Sequence, residues 1–292
     1  METVQQLIEL FPYAILGSIV AGFICAFLGI FVISQRVVFL GASLTQVSIA
    51  GVAFSFLHLM DIEGFLTRIF NIDIEHNVFF QNFEPAFFSL TFAIICVLIF
   101  SQTYRQKYIT QDGILGMIFV ISIALRIIFI QKSPAAEVSE IESILKGDIL
   151  FIGQTQFFTL LGITLITVLV FVIFQKQLKF VAFDPDTAMA HGINSRFWLL
   201  VFYLFVGMGI SLTTRFVGDV FAFAFLIIPS SIGILVGKKV SQVFIVSVLV
   251  GTLVPPISLY FAFIFDFSSG PTAVVLSFII FLCAYLFKKI FN

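Results

Sequence analysis

Charge is what this sequence has least of. Asp, Glu, Lys and Arg make up 11% of its 292 residues, 15 basic against 16 acidic. A soluble domain carries about a quarter, so a water-facing surface is excluded. No hydrophilic block is large enough for a second domain, and residues 1–292 read as one unit. Cysteine is scarce as well. Cys25, Cys96 and Cys283 all fall inside apolar stretches, which matches neither a disulfide framework nor metal-ligand spacing. They read as small buried hydrophobes. The chain has no Gly-x-x-x-x-Gly-Lys-(Ser/Thr) loop, no Gly-x-Ser-x-Gly and no His-Glu-x-x-His, so nothing supports nucleotide hydrolysis or an intramembrane enzyme. The first ten residues hold Glu2 and Glu9 but no basic residue, unlike a cleaved leader, so the first apolar run is expected to stay as a span. With a net charge of −1, no nucleic-acid partner is expected.

Hydrophobic residues are abundant, at 60%, and the mean hydropathy is +1.16. A bilayer core of about 30 Å needs roughly 20 apolar residues per helix. That rule predicts an all-α, polytopic membrane bundle of about nine spans. They lie near 11–33, 38–60, 85–100, 113–130, 157–174, 197–213, 220–236, 243–265 and 271–287, with the third and ninth short. The runs are long and lack strand alternation, which argues against a β-barrel. Nine spans also sort the charges. One set of connections holds ten of the fifteen basic residues, Arg36, Lys176, Lys238 and Lys288 among them, and three acids. The other set holds four basic residues and the remaining 13 acids. The basic side is expected to be cytoplasmic, which places the N-terminus outside and the C-terminus inside.

The most informative polar stretch is Val181-Ala-Phe-Asp-Pro-Asp-Thr-Ala-Met-Ala-His-Gly-Ile193, on the basic side. Asp184 suits a helix cap, Pro185 the first helical position, and Gly192 a left-handed stop about two turns on. Two readings stand: a capped connector, or a coupling helix that seats in a cytoplasmic motor protein.

This segment resembles the Phe-Asp-Pro-(Asp/Glu)-x-Ala-x-x-x-Gly-(Ile/Val) element of the ABC-3 family, the zinc, manganese and iron ABC permeases. Other patches resemble the family in the same order. They are Gly29 to Arg36, Gly51-Val-Ala-Phe54, Asp112-Gly-Ile-Leu-Gly-Met117, Leu145 to Leu150, Phe216-Val-Gly218, Phe225 to Ser231 and Ser269-Gly-Pro-Thr272. The resemblance implies a bacterial inner-membrane permease paired with a second permease chain, identical or related. It also implies two cytoplasmic ATPase subunits, which would hold the ATP and Mg, so this chain needs no cofactor. The coupling element would comprise Phe183, Asp184, Pro185, Asp186, Ala188 and Gly192. An extracytoplasmic metal-binding protein would dock on the loops 61–84 and 133–148, which read equally well as solvated connectors. In the second loop Val138, Ile141 and Leu145 share a helical face suited to the lipid interface.

Family members commonly carry Gly-Asp-x-x-x-His in span two, two ligands one helical turn apart. The matching stretch here is Gly41-Ala-Ser-Leu-Thr-Gln46, with Ala42 and Gln46 at the ligand positions. The resemblance therefore implies a translocation pathway past Ser43, Gln46 and Ser48, and past Gly218 and Pro229. The same serines and Thr45 equally suit hydrogen bonds between helices. Remaining candidate metal ligands are His58 and Asp61, three apart at the mouth of span two, and Asp219, which a helix start or a pair with Arg215 explains as well. His76 reads as an exposed loop residue, and His191 lies on the basic side. Arg126, the one basic residue inside a span, is expected to snorkel to the headgroups. The expected function is the membrane subunit of an ABC importer of divalent metal: zinc or manganese, or iron. The alternatives are an ion-coupled secondary transporter, or an ABC permease of this family with a non-metal substrate.

Overall fold

A computed structural model describes residues 9–57, 83–103, 110–134, 149, 152–183 and 185–291. Among them the chain forms eleven helices and no strand. They are α1 (Pro12–Ser34), α2 (Val38–Ser55), α3 (Phe83–Thr103), α4 (Gln111–Lys132), α5 (Gln154–Ile173), α6 (Gln175–Phe183), α7 (Pro185–Ala190), α8 (Ser195–Val217), α9 (Asp219–Val236), α10 (Val240–Phe265) and α11 (Ser269–Phe291). All but α6 and α7 are long and apolar enough to cross a membrane.

The nine expected spans are present, with shifted ends. The third and ninth, which hydropathy makes short, extend to 21 and 23 residues, because polar ends such as Glu84 and Lys288 continue the helix. The second stops early, at Ser55. Local chemistry sets several boundaries. The Thr110 hydroxyl accepts from Gly113 N–H at 3.2 Å, and the Asn194 side chain accepts from Phe197 N–H at 3.2 Å, capping α4 and α8. Gln242 Oε1 accepts from the N–H groups of Lys238 and Lys239 at the start of α10.

Helix α1 runs through the middle of the bundle, packed on α5, α8, α9 and α10. Glycine makes this possible. A Cβ on Gly22 would strike the Gly251 carbonyl of α10, and one on Gly29 would strike the Leu226 carbonyl of α9. Backbones can approach this closely only without side chains between them. Ser230 Oγ donates to the Ala26 carbonyl at 3.1 Å, tying α9 to α1. Around this seam Phe27, Phe31, Phe171, Phe202 and Phe244 meet edge to face or tilted, filling the core between α1, α5, α8 and α10.

Helix α2 lies on the other side of the bundle, between α3, α4, α8 and α9. It is the most enclosed span, whereas α4 and α11 turn most of their apolar side chains outward, as lipid-facing helices do.

Candidate translocation site

The enclosure of α2 is broken at Gln46. This residue emerges half-buried in the groove where α4 and α9 flank α2. Its Nε2 donates to Asp219 Oδ2 at 3.1 Å, and its Oε1 accepts from Arg126 Nη1 at 3.2 Å. One amide thus bridges a guanidinium of α4 and a carboxylate of α9. These residues stand 80 and 173 positions from Gln46 in the chain.

Each arm has a local cause. Gly218 alone separates α8 from α9, with φ at +99°, in the region that glycine enters without penalty. Asp219 is therefore the first residue of α9. There its other oxygen accepts from the Val220 N–H at 2.7 Å, at the positive end of the helix dipole. Gly41 lets α2 and α9 close up, since a Cβ there would press on the Leu226 side chain. Arg126 differs from its expected posture: its guanidinium turns to the Gln46 carbonyl oxygen. A buried-side hydrogen-bond acceptor competes with headgroups for the same charge.

Phe39 lies seven residues before Gln46, about 10 Å along the same helix. At that level a cleft of ≈ 430 Å³ opens, lined by Arg36, Val38, Phe39, Asp112, Gly116 and Phe223. These residues belong to the same three helices and the link before α2. The groove therefore has a polar bridge at one level and an open cleft nearer the basic end of the molecule. Arg36 reaches the cleft from a left-handed backbone position, φ +59°, that closes α1.

The other sequence candidates lie elsewhere. Ser43 is fully buried, 2.8 Å from the Leu115 carbonyl of α4 and 3.0 Å from the Phe39 carbonyl. Thr45 donates to Ala42 of its own helix. Ser48 is fully buried, with no hydrogen-bond partner for its hydroxyl among the described residues. Pro229 is buried within α9, one residue from the Ser230 contact with α1. His58, Asp61, His76, Asp184 and the two long loops, residues 61–82 and 135–148, lie outside the described residues. Among the described residues no three His, Cys, Asp or Glu side chains gather as a metal-binding group.

Toward the basic end, α6 continues from α5 after Phe174, an extension that the sequence reading omits. The short α7 follows, with Pro185 as its first residue. Its other end is closed by two crossed bonds: Ile193 N–H to the Ala188 carbonyl at 3.0 Å and Gly192 N–H to the Met189 carbonyl at 3.0 Å. Gly192, at φ +78°, supplies the left-handed residue that this closure requires. Ala188 is fully buried, while Phe180, Met189 and His191 face outward, the Phe180 and His191 rings 6.1 Å apart.

A bundle of membrane-length helices, with a charged bridge in one groove and a short capped helix toward its basic end, defines a polytopic membrane protein. The sequence profile of the ABC 3 transport family matches residues 7–288, and the chain belongs to that family. It is a multi-pass protein of the bacterial inner membrane, of the permease type.

The manganese transport system membrane protein MntC of Listeria innocua is 26% identical over 94% of this chain and 89% of its own length. The manganese import system permease protein ScaB of Streptococcus gordonii is 25% identical over 93% and 89%. The chelated iron transport system membrane protein YfeC of Yersinia pestis is 22% identical over 94% and 85%. Among solved structures, PsaBC from Streptococcus pneumoniae in complex with Fab superimposes with a TM-score of 0.77 at 22% identity. That match covers 97% of this chain and 94% of the other, and it supports the fold.

Proposed function

We propose that this chain is the membrane-spanning subunit of an ABC importer of a divalent metal ion, manganese or iron. The observation that carries the reading is the Arg126–Gln46–Asp219 bridge, a polar cluster that spans three helices of an apolar bundle. Ionisable groups turned into a groove of a membrane bundle are, by default, candidates for the route of a charged solute. Its metal-capable atoms are oxygens, the Gln46 carbonyl and the Asp219 carboxylate. Oxygen suits manganese better than it suits zinc, which favours nitrogen and sulfur. The names of the manganese and iron relatives support the same choice.

In this reading the basic end faces the cytoplasm, with the C-terminus inside and the N-terminus outside. Two ATPase subunits supply the work, and the exposed Phe180, Met189 and His191 around α7 are the surface they grip. A second permease chain completes the passage, and an extracytoplasmic binding protein delivers the ion.

The test is reconstitution into liposomes with the partner ATPase, followed by uptake of manganese, iron and zinc with and without ATP. ATP-driven accumulation of manganese or iron is the expected result. No ATP-driven uptake of any of the three, or failure of the ATPase to co-purify, would overturn the reading.

A further inference from the structure

The bridge has a feature that a plain metal passage does not need: a fixed positive charge inside it. A cation is held by lone pairs, and the groove offers them on Gln46 Oε1 and Asp219 Oδ2. Both atoms are engaged, the first by the Arg126 guanidinium and the second by the Gln46 amide N–H. For an ion to reach the pair, Arg126 must leave and the Gln46 amide must turn over. Arginine does not deprotonate in proteins, so its charge can only move. Arg126 is half-buried on a lipid-facing helix, and its long stem can carry the guanidinium outward to the headgroup region.

We propose that Arg126 is a tethered cation that holds the Gln46–Asp219 oxygen pair closed in the unloaded protein and is displaced by the incoming divalent ion. This rests on the import reading above for its biological setting, though not for its measurement. The guanidinium satisfies the groove when no ion is present, so the unloaded path offers no vacant anionic well to other cations. It also weakens the grip on the cargo: the ion binds only the fraction of molecules in which Arg126 has swung away. When the ion leaves, the guanidinium returns and helps to expel it. Arg126 thus sets affinity and specificity without being a ligand.

The experiment uses the purified full chain in nanodiscs, titrated with Mn²⁺ while the electron paramagnetic resonance signal of the free aquo-ion is followed. If the oxygen pair is open in about one molecule in ten, R126Q tightens the apparent dissociation constant about tenfold. R126K, which keeps a displaceable cation, stays close to the parent protein. Adding D219N to R126Q removes the gain. Mn²⁺ bound no more tightly by R126Q than by the parent would overturn the latch, as would a gain that survives D219N. R126M serves if R126Q does not fold. Collapse of both variants beside a folded R126K would also overturn it, since Arg126 would then be a structural fixture. Tightening without ATP-driven uptake would sink the import reading alone, whereas uptake with unchanged affinity in R126Q would sink the latch alone.

Discussion

At the residue scale, Gln46 serves two charges at once, as acceptor for Arg126 and as donor to Asp219. Replacing it with leucine leaves a guanidinium and a carboxylate without their shared partner in a groove of low polarity. A fully buried polar group left unsatisfied costs about 1–3 kcal/mol, and half-buried groups such as these lose less. Q46L should therefore unfold at a lower temperature in detergent than the parent, and a melt monitored by tryptophan fluorescence at Trp198 would read it. Gly192 is a residue of another kind. Nothing lies within 4 Å of where a Cβ would stand, so its identity is demanded by the backbone alone. A β-branched side chain at φ +78° is disfavoured by about 1–2 kcal/mol, and the closure of α7 should open. In the reconstituted transporter G192V is expected to keep ATP hydrolysis and lose most uptake. G192N, which tolerates the left-handed region, should retain more of it.

At the scale of elements, the α1–α10 crossing depends on two glycines facing each other, Gly22 and Gly251. G22L inserts a side chain where the opposing carbonyl now sits. Overpacking of this kind costs typically about 1–3 kcal/mol, and the helices must separate to take it. The expected readouts are a lower melting temperature and faster proteolysis of the detergent-solubilised protein, with G251L behaving alike.

The spans were legible in the sequence because hydropathy and charge segregation are properties of single segments: each run could be read without knowing its neighbours. The ends of α7 were legible for the same reason, since Pro185 and Gly192 act locally. Helix α6 was not, because Gln175, Lys176 and Lys179 are too polar to read as span and no cap marks their start. The bridge lay further out of reach. Gln46 and Asp219 each stood out as polar groups in apolar runs, and Arg126 as an intramembrane charge. Only the packing of α2 between α4 and α9 assembles the three. A clue was present: two family ligand positions without ligands, together with an uncompensated arginine, point to a rewired site. Ser43 takes the second of the two roles its sequence position allowed, a hydrogen bond between helices, to the Leu115 carbonyl of α4.

At the scale of the whole molecule, the charge segregation predicts an orientation that labelling can read. With Cys283, the one exposed thiol among the described residues, replaced by serine, single cysteines at Lys238 and Asp266 should report opposite sides of the membrane. A membrane-impermeant maleimide applied to intact spheroplasts is expected to modify D266C and to spare K238C until the membrane is broken. The reverse pattern would invert the topology.

Helix α8 joins the two ends of this layout. It is an unbroken rod of 23 residues, about 35 Å long, that begins three residues after Gly192 and ends one residue before Gly218. The carboxylate of Asp219 is thus hinged directly to the far tip of a beam whose near tip is bolted to α7. A tilt imposed at the near tip swings the far one, so the Asp219 oxygen can be drawn away from Gln46 without any ion in the groove. In the proposed importer, leverage as well as chemistry would set grip and release at the bridge.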